Sequence, residues 1–130
     1  MTSIFTRIIQ GEIPSFKIAE NDHFFAFLDV FPLAEGHTLV VPKIEVDDIH
    51  DLDPEVYKNL FAFSQTIANA IKKSIPCRKV GVSVVGLEVP HAHIHLIPIN
   101  AVSDMNFSRE KLKADDARLA DVRNRIVAAL

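Results

Sequence analysis

Three histidines alternate with apolar residues in one short stretch of the chain. Residues 91–95 read His-Ala-His-Ile-His, and Leu-Ile-Pro follows them. In an extended strand, successive side chains point to opposite faces of the sheet. One face would therefore carry His91, His93 and His95, and the other face would be apolar. Half of the 6 histidines of the chain stand in this row, so the pattern indicates chemistry rather than packing alone.

A histidine in such a row can act as a nucleophile at phosphorus. Neutral imidazole, with an ordinary pKa of about 6.5, is a competent nucleophile at neutral pH. It needs one ring nitrogen aimed at the substrate and the other held by an acceptor, such as a neighbouring backbone carbonyl. We therefore expect His93, the middle ring, to attack phosphorus or relay a proton, while its neighbours orient the substrate.

Two other interpretations of the row stay open. Residues four apart on a strand lie about 13 Å apart, whereas two nitrogens bound to one zinc ion are at most about 4 Å apart. His91 and His95 would therefore have to lean far along the strand to share an ion. Two adjacent row members could still bind one with a distant ligand, namely His37, Asp29 or Glu88. Alternatively, one or two of the histidines are simply buried and hydrogen-bonded.

The composition is that of an ordinary globular domain. The chain has 130 residues, 48% of them hydrophobic and 24% charged, which predicts one domain over residues 1–130. A net charge of −3 and the lack of a Lys/Arg run argue against a nucleic-acid partner but leave a small phosphate compound as a ligand. No apolar run approaches the roughly 20 residues that span a bilayer, so we expect no membrane contact. Cys77 is the single cysteine, and the N-terminus lacks a signal-peptide pattern; both favour a cytoplasmic location.

Hydrophobic periodicity and turn residues predict the elements that position the row. Asp53, Pro54 and Glu55 are typical of a helix start, and an apolar stripe follows at three- and four-residue steps until Pro76. The stripe consists of Val56, Leu60, Phe63, Ile67 and Ile71. A short helix is predicted over residues 3–10, and strands over 16–20, 23–30, 38–41, 79–85 and 91–98.

A second amphipathic segment closes the chain. Ser108 can cap a terminal helix whose apolar stripe is Leu112, Leu119, Val122 and Ile126. The resulting order of strands and helices predicts an α+β domain, an antiparallel sheet with helices packed on it.

Four motifs, in order, resemble the histidine triad (HIT) superfamily and within it the Hint-like branch. Residues 91–97 match its signature His-φ-His-φ-His-φ-φ, where φ is hydrophobic. Residues 4–14, the stretch Phe-Leu-Asp-Val with Pro32 after it, and Gly-His-Thr-Leu-Val-Val-Pro-Lys over 36–43 resemble the other three motifs. The resemblance covers about residues 3–98, and residues 99–130 form a C-terminal helical extension without a counterpart.

This resemblance implies a nucleotide hydrolase or transferase that cleaves nucleoside 5′-monophosphate derivatives, phosphoramidates or adenylated compounds. The substrate would be a purine nucleotide of the AMP type. A nucleotidyl–histidine intermediate would form and then be cleaved by water, with no cofactor or metal. The implied fold pairs two copies into a homodimer with one continuous sheet.

Roles are implied for individual residues in the same way. His93 would attack the α-phosphorus, His95 would contact phosphate oxygens, and His91 would support the row. His37 would lie beside the catalytic ring and the leaving group, and Asp29 would accept hydrogen bonds from both ribose hydroxyls. The residues expected to line the base pocket are Phe5, Ile8, Ile18, Leu28 and Val30.

The segment before the triad departs from the family pattern. Residues 81–90 are shorter than usual and lack a Gln that supplies a donor to the phosphate, which Ser83 would replace in part. Glu88 stands where a small hydroxyl is expected, and a carboxylate near a phosphate is unfavourable. Glu45 replaces a histidine that usually follows the Pro-Lys pair. Two alternatives therefore remain: a nucleotide-binding regulatory module with little catalysis, and a zinc-binding protein that uses the histidine row.

Overall fold

A five-stranded antiparallel sheet organises the protein, and a computed structural model describes residues 2–130 of it. The strands are β1 (Lys17–Glu20), β2 (Phe24–Leu28), β3 (Thr38–Pro42), β4 (Lys79–Ser83) and β5 (Ile94–Ile99), in the spatial order β1-β2-β3-β5-β4. The helices are α1 (Ile4–Ile9), α2 (Pro54–Ser74) and α3 (Asp116–Ala128), and short 3-10 turns cover Ile49–Asp51 and Val102–Met105. The predicted α+β class is confirmed.

The two faces of the sheet serve different purposes. One face packs against α2 and α3 and forms the helix-side core, which includes Ala26, Val40, Ile94, Leu96, Leu60, Ile67, Ile71 and Ile126. The other face carries a smaller cluster, the α1-side cluster, made of Phe5, Phe25, Phe27, Leu39 and Val41 with Ile8 and Ile9 beside them. His95 pairs in register with Leu39 and with Ser83, so its side chain belongs to the α1 side.

The long helix begins as the sequence predicts. The Asp53 carboxylate accepts a hydrogen bond from the backbone N–H of Glu55 at 2.9 Å, and Pro54 occupies the first turn. Lys72 and Lys73 stand in the last turn, where they complement the negative end of the helix dipole. Within residues 2–130, no helix has an apolar stretch long enough to cross a membrane.

The histidine strand is shorter than predicted. β5 begins at Ile94, so His91 and His93 precede it instead of lying within it. The backbone N–H of His91 donates to Val89 O at 2.8 Å, and that of Ala92 donates to Val46 O at 2.7 Å. Because these two N–H groups donate to residues outside the sheet, residues 91–92 do not pair with β3, and the pairing of β5 with β3 begins at Ile94.

The C-terminal helix also starts later than predicted. Asp115, not Ser108, caps α3, and its carboxylate accepts the N–H of Arg118 at 2.8 Å. The N–H of Leu112 donates to Pro32 O at 2.8 Å rather than to a carbonyl of its own segment, and the Leu112 side chain is 47% exposed. Residues 107–112 therefore form a strap, a non-helical segment tied to the loop before β3.

We expect replacement of Gly36 by Ala to destabilise the fold more than the same change at Gly11. Both glycines have positive φ, +99° and +81°, so a Cβ costs about 1–2 kcal/mol of backbone strain at either position. Only at Gly36 would that Cβ also lie 3.2 Å from Ile75 and 3.2 Å from Pro98, which adds about 1–3 kcal/mol. Urea unfolding of both variants measures the difference, and equal losses would contradict it.

Candidate active site

Four histidines converge on the α1 side of the sheet. His91 and His37 are fully buried, while His93 and His95 are 6% and 8% exposed. The His93 ring lies 4.9 Å from the Phe5 ring and 4.9 Å from the His95 ring, measured between centroids. The predicted placement of the row on one side thus holds, although two of its members precede the strand.

His91 is held at both ring nitrogens. Its Nε2 lies 2.8 Å from Pro42 O, and because a carbonyl only accepts, Nε2 carries the proton. In the neutral ring the Nδ1 atom is then the acceptor, and the Ser3 hydroxyl donates to it at 2.7 Å. His91 has no nitrogen left for substrate and acts as a structural bracket.

Glu45 holds the start of α1 against His91 through hydrogen bonds to Ser3 and Thr6. Its Oε1 atom accepts the N–H of Ser3 at 2.6 Å and the hydroxyl of Thr6 at 2.7 Å. The Ser3 hydroxyl in turn caps α1 by accepting the N–H of Thr6 at 3.0 Å. The hydrogen bond from the Ser3 N–H is the main cause that lowers the pKa of Glu45. The residue that departs from the family pattern thus fixes the position of Ser3 against His91.

His93 presents one free nitrogen. Its Nδ1 lies 2.8 Å from His91 O, so Nδ1 carries the proton and donates it. The Nε2 atom keeps its lone pair, has no hydrogen-bond partner within residues 2–130, and is not fully enclosed. Burial lowers the pKa of His93 below its ordinary value, so the ring is neutral at pH 7. This is the geometry that a nucleophilic imidazole requires.

A second hydrogen-bonded chain runs from the backbone through His37 to His95. The N–H of Leu33 donates to His37 Nδ1 at 3.0 Å, so a neutral His37 carries its proton on Nε2. That proton is donated to His95 Nδ1, 2.9 Å away. A neutral His95 must then carry its own proton on Nε2, which has no partner within residues 2–130 and is free to donate to a ligand.

Both rings of this chain stay neutral over the physiological range. Burial, with the repulsion from His95 next in size, lowers the pKa of His37 to about 3. Burial, followed by repulsion from His93 and then from Lys111, lowers the pKa of His95 to about 4. At pH 7 the pair can donate hydrogen bonds, but neither ring is a cation that gives up a proton.

Asp29 lies beside the chain but is not part of it. Its Oδ1 accepts the N–H of Phe31 at 2.8 Å, and its Oδ2 lies 3.6 Å from His37 Nε2, too far for a hydrogen bond. Burial raises the pKa of Asp29 above its ordinary value. The Oδ2 atom is therefore available to a donor from a ligand.

Asp29, His37 and His95 do not form a good metal centre, although their ligand atoms lie within 4.8 Å of one another. A neutral histidine that binds a metal through Nε2 carries its proton on Nδ1. In His37 that proton would face the N–H of Leu33, with the two nitrogens 3.0 Å apart. The donor set fits a hydrogen-bonded chain better than a metal ion.

The remaining predicted residues divide between the two faces. Phe5 and Ile8 lie in the α1-side cluster with the histidines, and Ser83 pairs with His95 across the sheet. Ile18 and Leu28 belong to the helix-side core rather than to the cluster of Phe5, and Leu28 also lines a cavity with Asp29 and His37. The Val30 and Glu88 side chains are exposed, Val30 directly after Asp29 and Glu88 in the turn before the triad.

Sequence reasoning missed Ser3 and two residues of the strap, and it identified Glu45 only as a departure from the family pattern. The Phe107 ring packs edge-on against His95, with centroids 4.8 Å apart, and Lys111 acts on the pKa of His37, His95 and Asp29. Ser3 had a detectable signal, since it is a cap-type residue directly before an apolar helix. Phe107 and Lys111 had none, because their segment has no regular periodicity.

An α+β sheet that brings a histidine triad together with an unpartnered central ring nitrogen defines a recognisable class, and comparisons with known proteins agree with it. The family model described as HIT domain matches residues 10–102. A Hit-like protein from Bartonella henselae superposes with a TM-score of 0.87 and 31% identity, over 99% of this chain and 96% of that one. A Zn-bound histidine triad family protein from Mycobacterium smegmatis superposes with a TM-score of 0.82 and 28% identity, over 99% and 93% of the two chains.

A curated relative adds an activity within the same family. Adenosine 5′-monophosphoramidase HNT1 from Saccharomyces cerevisiae is 38% identical over 96 residues, which are 73% of this chain and 61% of that protein. The chain belongs to the HIT family, as its motifs predict. That family includes nucleotide hydrolases.

We expect replacement of Lys111 by Gln to raise the pKa of both His37 and His95. The positive charge of Lys111 opposes their protonation, so its removal moves the His95 pKa upward from about 4. The shift stays partial because burial, the larger cause, is unchanged. Nuclear magnetic resonance titration of the ring protons measures it, with Lys113→Gln as the control in the same segment. An unchanged His95 titration would show that Lys111 does not act on this pair.

Proposed function

We propose that the protein cleaves nucleoside 5′-monophosphate derivatives through a covalent nucleotidyl–His93 intermediate. The observation that carries the proposal is the His93 ring, whose Nδ1–H is held by His91 O while Nε2 stays unpartnered. The preferred substrates are phosphoramidates or adenylated compounds of AMP. The name of the yeast relative, a monophosphoramidase, supports this class of substrate.

The proposed reaction has two displacements at phosphorus. The Nε2 lone pair of His93 forms a bond to the α-phosphorus, and the bond from phosphorus to the leaving group breaks. The leaving group departs with the bonding pair and takes a proton from solvent, since His37 and His95 are held neutral. Water then attacks phosphorus and loses a proton to solvent, the P–Nε2 bonding pair returns to His93, and the nucleoside monophosphate leaves. An alcohol or amine in place of water gives transfer instead of hydrolysis.

The neighbouring groups fit defined parts of such a substrate. The Nε2–H of His95 is free to donate to a phosphate oxygen, and Ser83 stands beside it in the sheet. Asp29 would accept hydrogen bonds from the ribose hydroxyls through its available Oδ2. Phe5 and Ile8 would contact the purine ring on the α1 side.

We also propose that two copies pair through β4. This strand is an edge of the sheet, so its outer N–H and C=O groups have no strand partner within residues 2–130. Val82 on β4 is 53% exposed and lines an apolar groove with Ala62, Gln65 and Ala68 of α2. Antiparallel pairing of two β4 strands would extend the sheet across a homodimer. Cys77 is a free thiol, which suits the cytoplasmic location that we propose.

We expect His93→Ala to lower turnover of an adenosine phosphoramidate by at least about 10²–10⁴-fold. The affinity for AMP, measured by calorimetry, should change little because the other contacts remain. His23→Ala, in the exposed turn before β2, is the matched control. Full activity of His93→Ala would exclude this nucleophile. Binding of AMP by the unaltered protein without turnover of phosphoramidate, dinucleotide polyphosphate or sulfate-linked substrates would favour the regulatory module.

We expect Val82→Lys to convert the proposed dimer to monomers. A charge on the edge strand opposes strand pairing and must lose its hydration in the groove. Analytical ultracentrifugation measures the mass, and Val102→Lys, which changes an exposed valine outside the groove, is the control. A monomeric unaltered protein, or a dimeric Val82→Lys variant, would contradict pairing through β4.

A further inference from the structure

A cavity of about 440 Å³ has His93 in its lining, and neither Phe5 nor Asp29 lines it. Its walls are the 47–50 segment, the first turns of α2 and the 84–87 turn. His93 is the only member of the triad in its lining, and the Nε2 of this 6%-exposed ring has no partner within residues 2–130. In the proposed complex the base and ribose contact Phe5 and Asp29, which do not line this cavity, so the cavity is available to the leaving group.

The charge of the cavity is negative. Asp47 and Asp48 contribute two carboxylates, and no Lys or Arg is among the lining residues. Within residues 2–130, neither carboxylate forms an ion pair, and only Asp48 has a hydrogen bond, accepting the N–H of His50 at 2.9 Å. The negative charge of Glu88 also acts on His93, where it opposes the lowering of the pKa by burial. An anionic leaving group would meet repulsion here, and a cationic one attraction.

Aromatic and apolar side chains complete the lining. The Tyr57 and Phe61 rings lie 5.1 Å apart, and the His50 ring stacks on Tyr57 at 6.1 Å. Aromatic faces next to carboxylates attract ammonium groups. Leu87, 89% exposed, with Val84 and Val85, offers an apolar wall to a carbon chain.

We propose that this cavity receives the leaving group and selects amines that carry a positive charge. The preferred substrates would then be nucleoside phosphoramidates whose nitrogen substituent is an alkyl or aryl chain that ends in an ammonium group. The phosphoramidate nitrogen departs with the P–N bonding pair and a proton from solvent, and the terminal ammonium group is unchanged by the reaction. The inference rests on the proposed role of His93 and adds the class of leaving group.

Three adenosine 5′-phosphoramidates test the inference: one with a hexyl, one with an aminohexyl and one with a carboxypentyl substituent on nitrogen. We expect kcat/KM for the aminohexyl compound to exceed that for the carboxypentyl compound by at least about tenfold at low salt. The preference should weaken as the ionic strength rises.

Paired variants assign the preference to the cavity. Asp47→Asn combined with Asp48→Asn should bring the ratio of kcat/KM for the aminohexyl compound to that for the carboxypentyl compound close to one, because the charge that distinguishes the two compounds is removed. Asp22→Asn, which removes a carboxylate from the β1–β2 turn outside the cavity, should leave the ratio unchanged. Circular dichroism checks that each variant folds.

The possible failures are distinguishable. Equal kcat/KM values for the aminohexyl and carboxypentyl compounds, with turnover that still requires His93, would overturn the charge selection and leave the proposed function intact. A preference that survives in the double variant would overturn the role of this cavity. Hydrolysis of none of the three compounds would overturn the proposed function and this inference with it.

Discussion

The hydrogen bond from His93 Nδ1 to the carbonyl oxygen of His91 is the constraint on which the site depends. At 2.8 Å it assigns the proton to Nδ1 and leaves the lone pair on Nε2. The carbonyl can hold that ring only because His91 is itself fixed, by Pro42 O at one ring nitrogen and by the Ser3 hydroxyl at the other. The ring that we propose as the nucleophile is thus positioned by the end of β3 and the start of α1.

Neutrality is the second condition of the site, and burial imposes it. Burial is the largest cause that lowers the pKa of His37, His93 and His95, because a charge on any of these rings would lose its hydration. The hydrogen bonds that run from Leu33 through His37 to His95 give the buried ring nitrogens partners without any charged group. Lys111 is a cation that acts on the pKa of both His37 and His95, and it lies in the strap, beyond residues 10–102, which the family model matches. The residues that the family model matches therefore supply the neutral hydrogen-bonding groups, and the residues after them, which the solved structures of HIT-family proteins also cover, supply the cation.

Local sequence signals predicted the sheet, the long helix and the placement of three histidines on one side, because each depends on spacing within a few residues. They failed where the deciding contact is distant in the chain. Ser3 meets His91 across 88 positions, and the N–H of Leu112 meets Pro32 O, which stops a helix from starting at Ser108. The sequence also did not show that Ile18 and Leu28 lie in a different cluster from Phe5. Strand alternation predicts two faces of a sheet but not which face carries the site.

The surroundings of His93 differ in charge between its two sides, and this difference favours one orientation of the proposed substrate. In the proposed complex, a phosphate would have a neutral donor from His95 and the positive charge of Lys111 on one side. On the other side the carboxylates of Asp47 and Asp48 border the cavity and disfavour a second anion. A substrate with a negative phosphate at one end and a positive chain at the other matches this arrangement in one orientation only, because the reverse orientation would place each charge beside a like charge. The orientation of the proposed substrate is thus set by the charges on the two sides of His93, because the His93 ring itself is neutral.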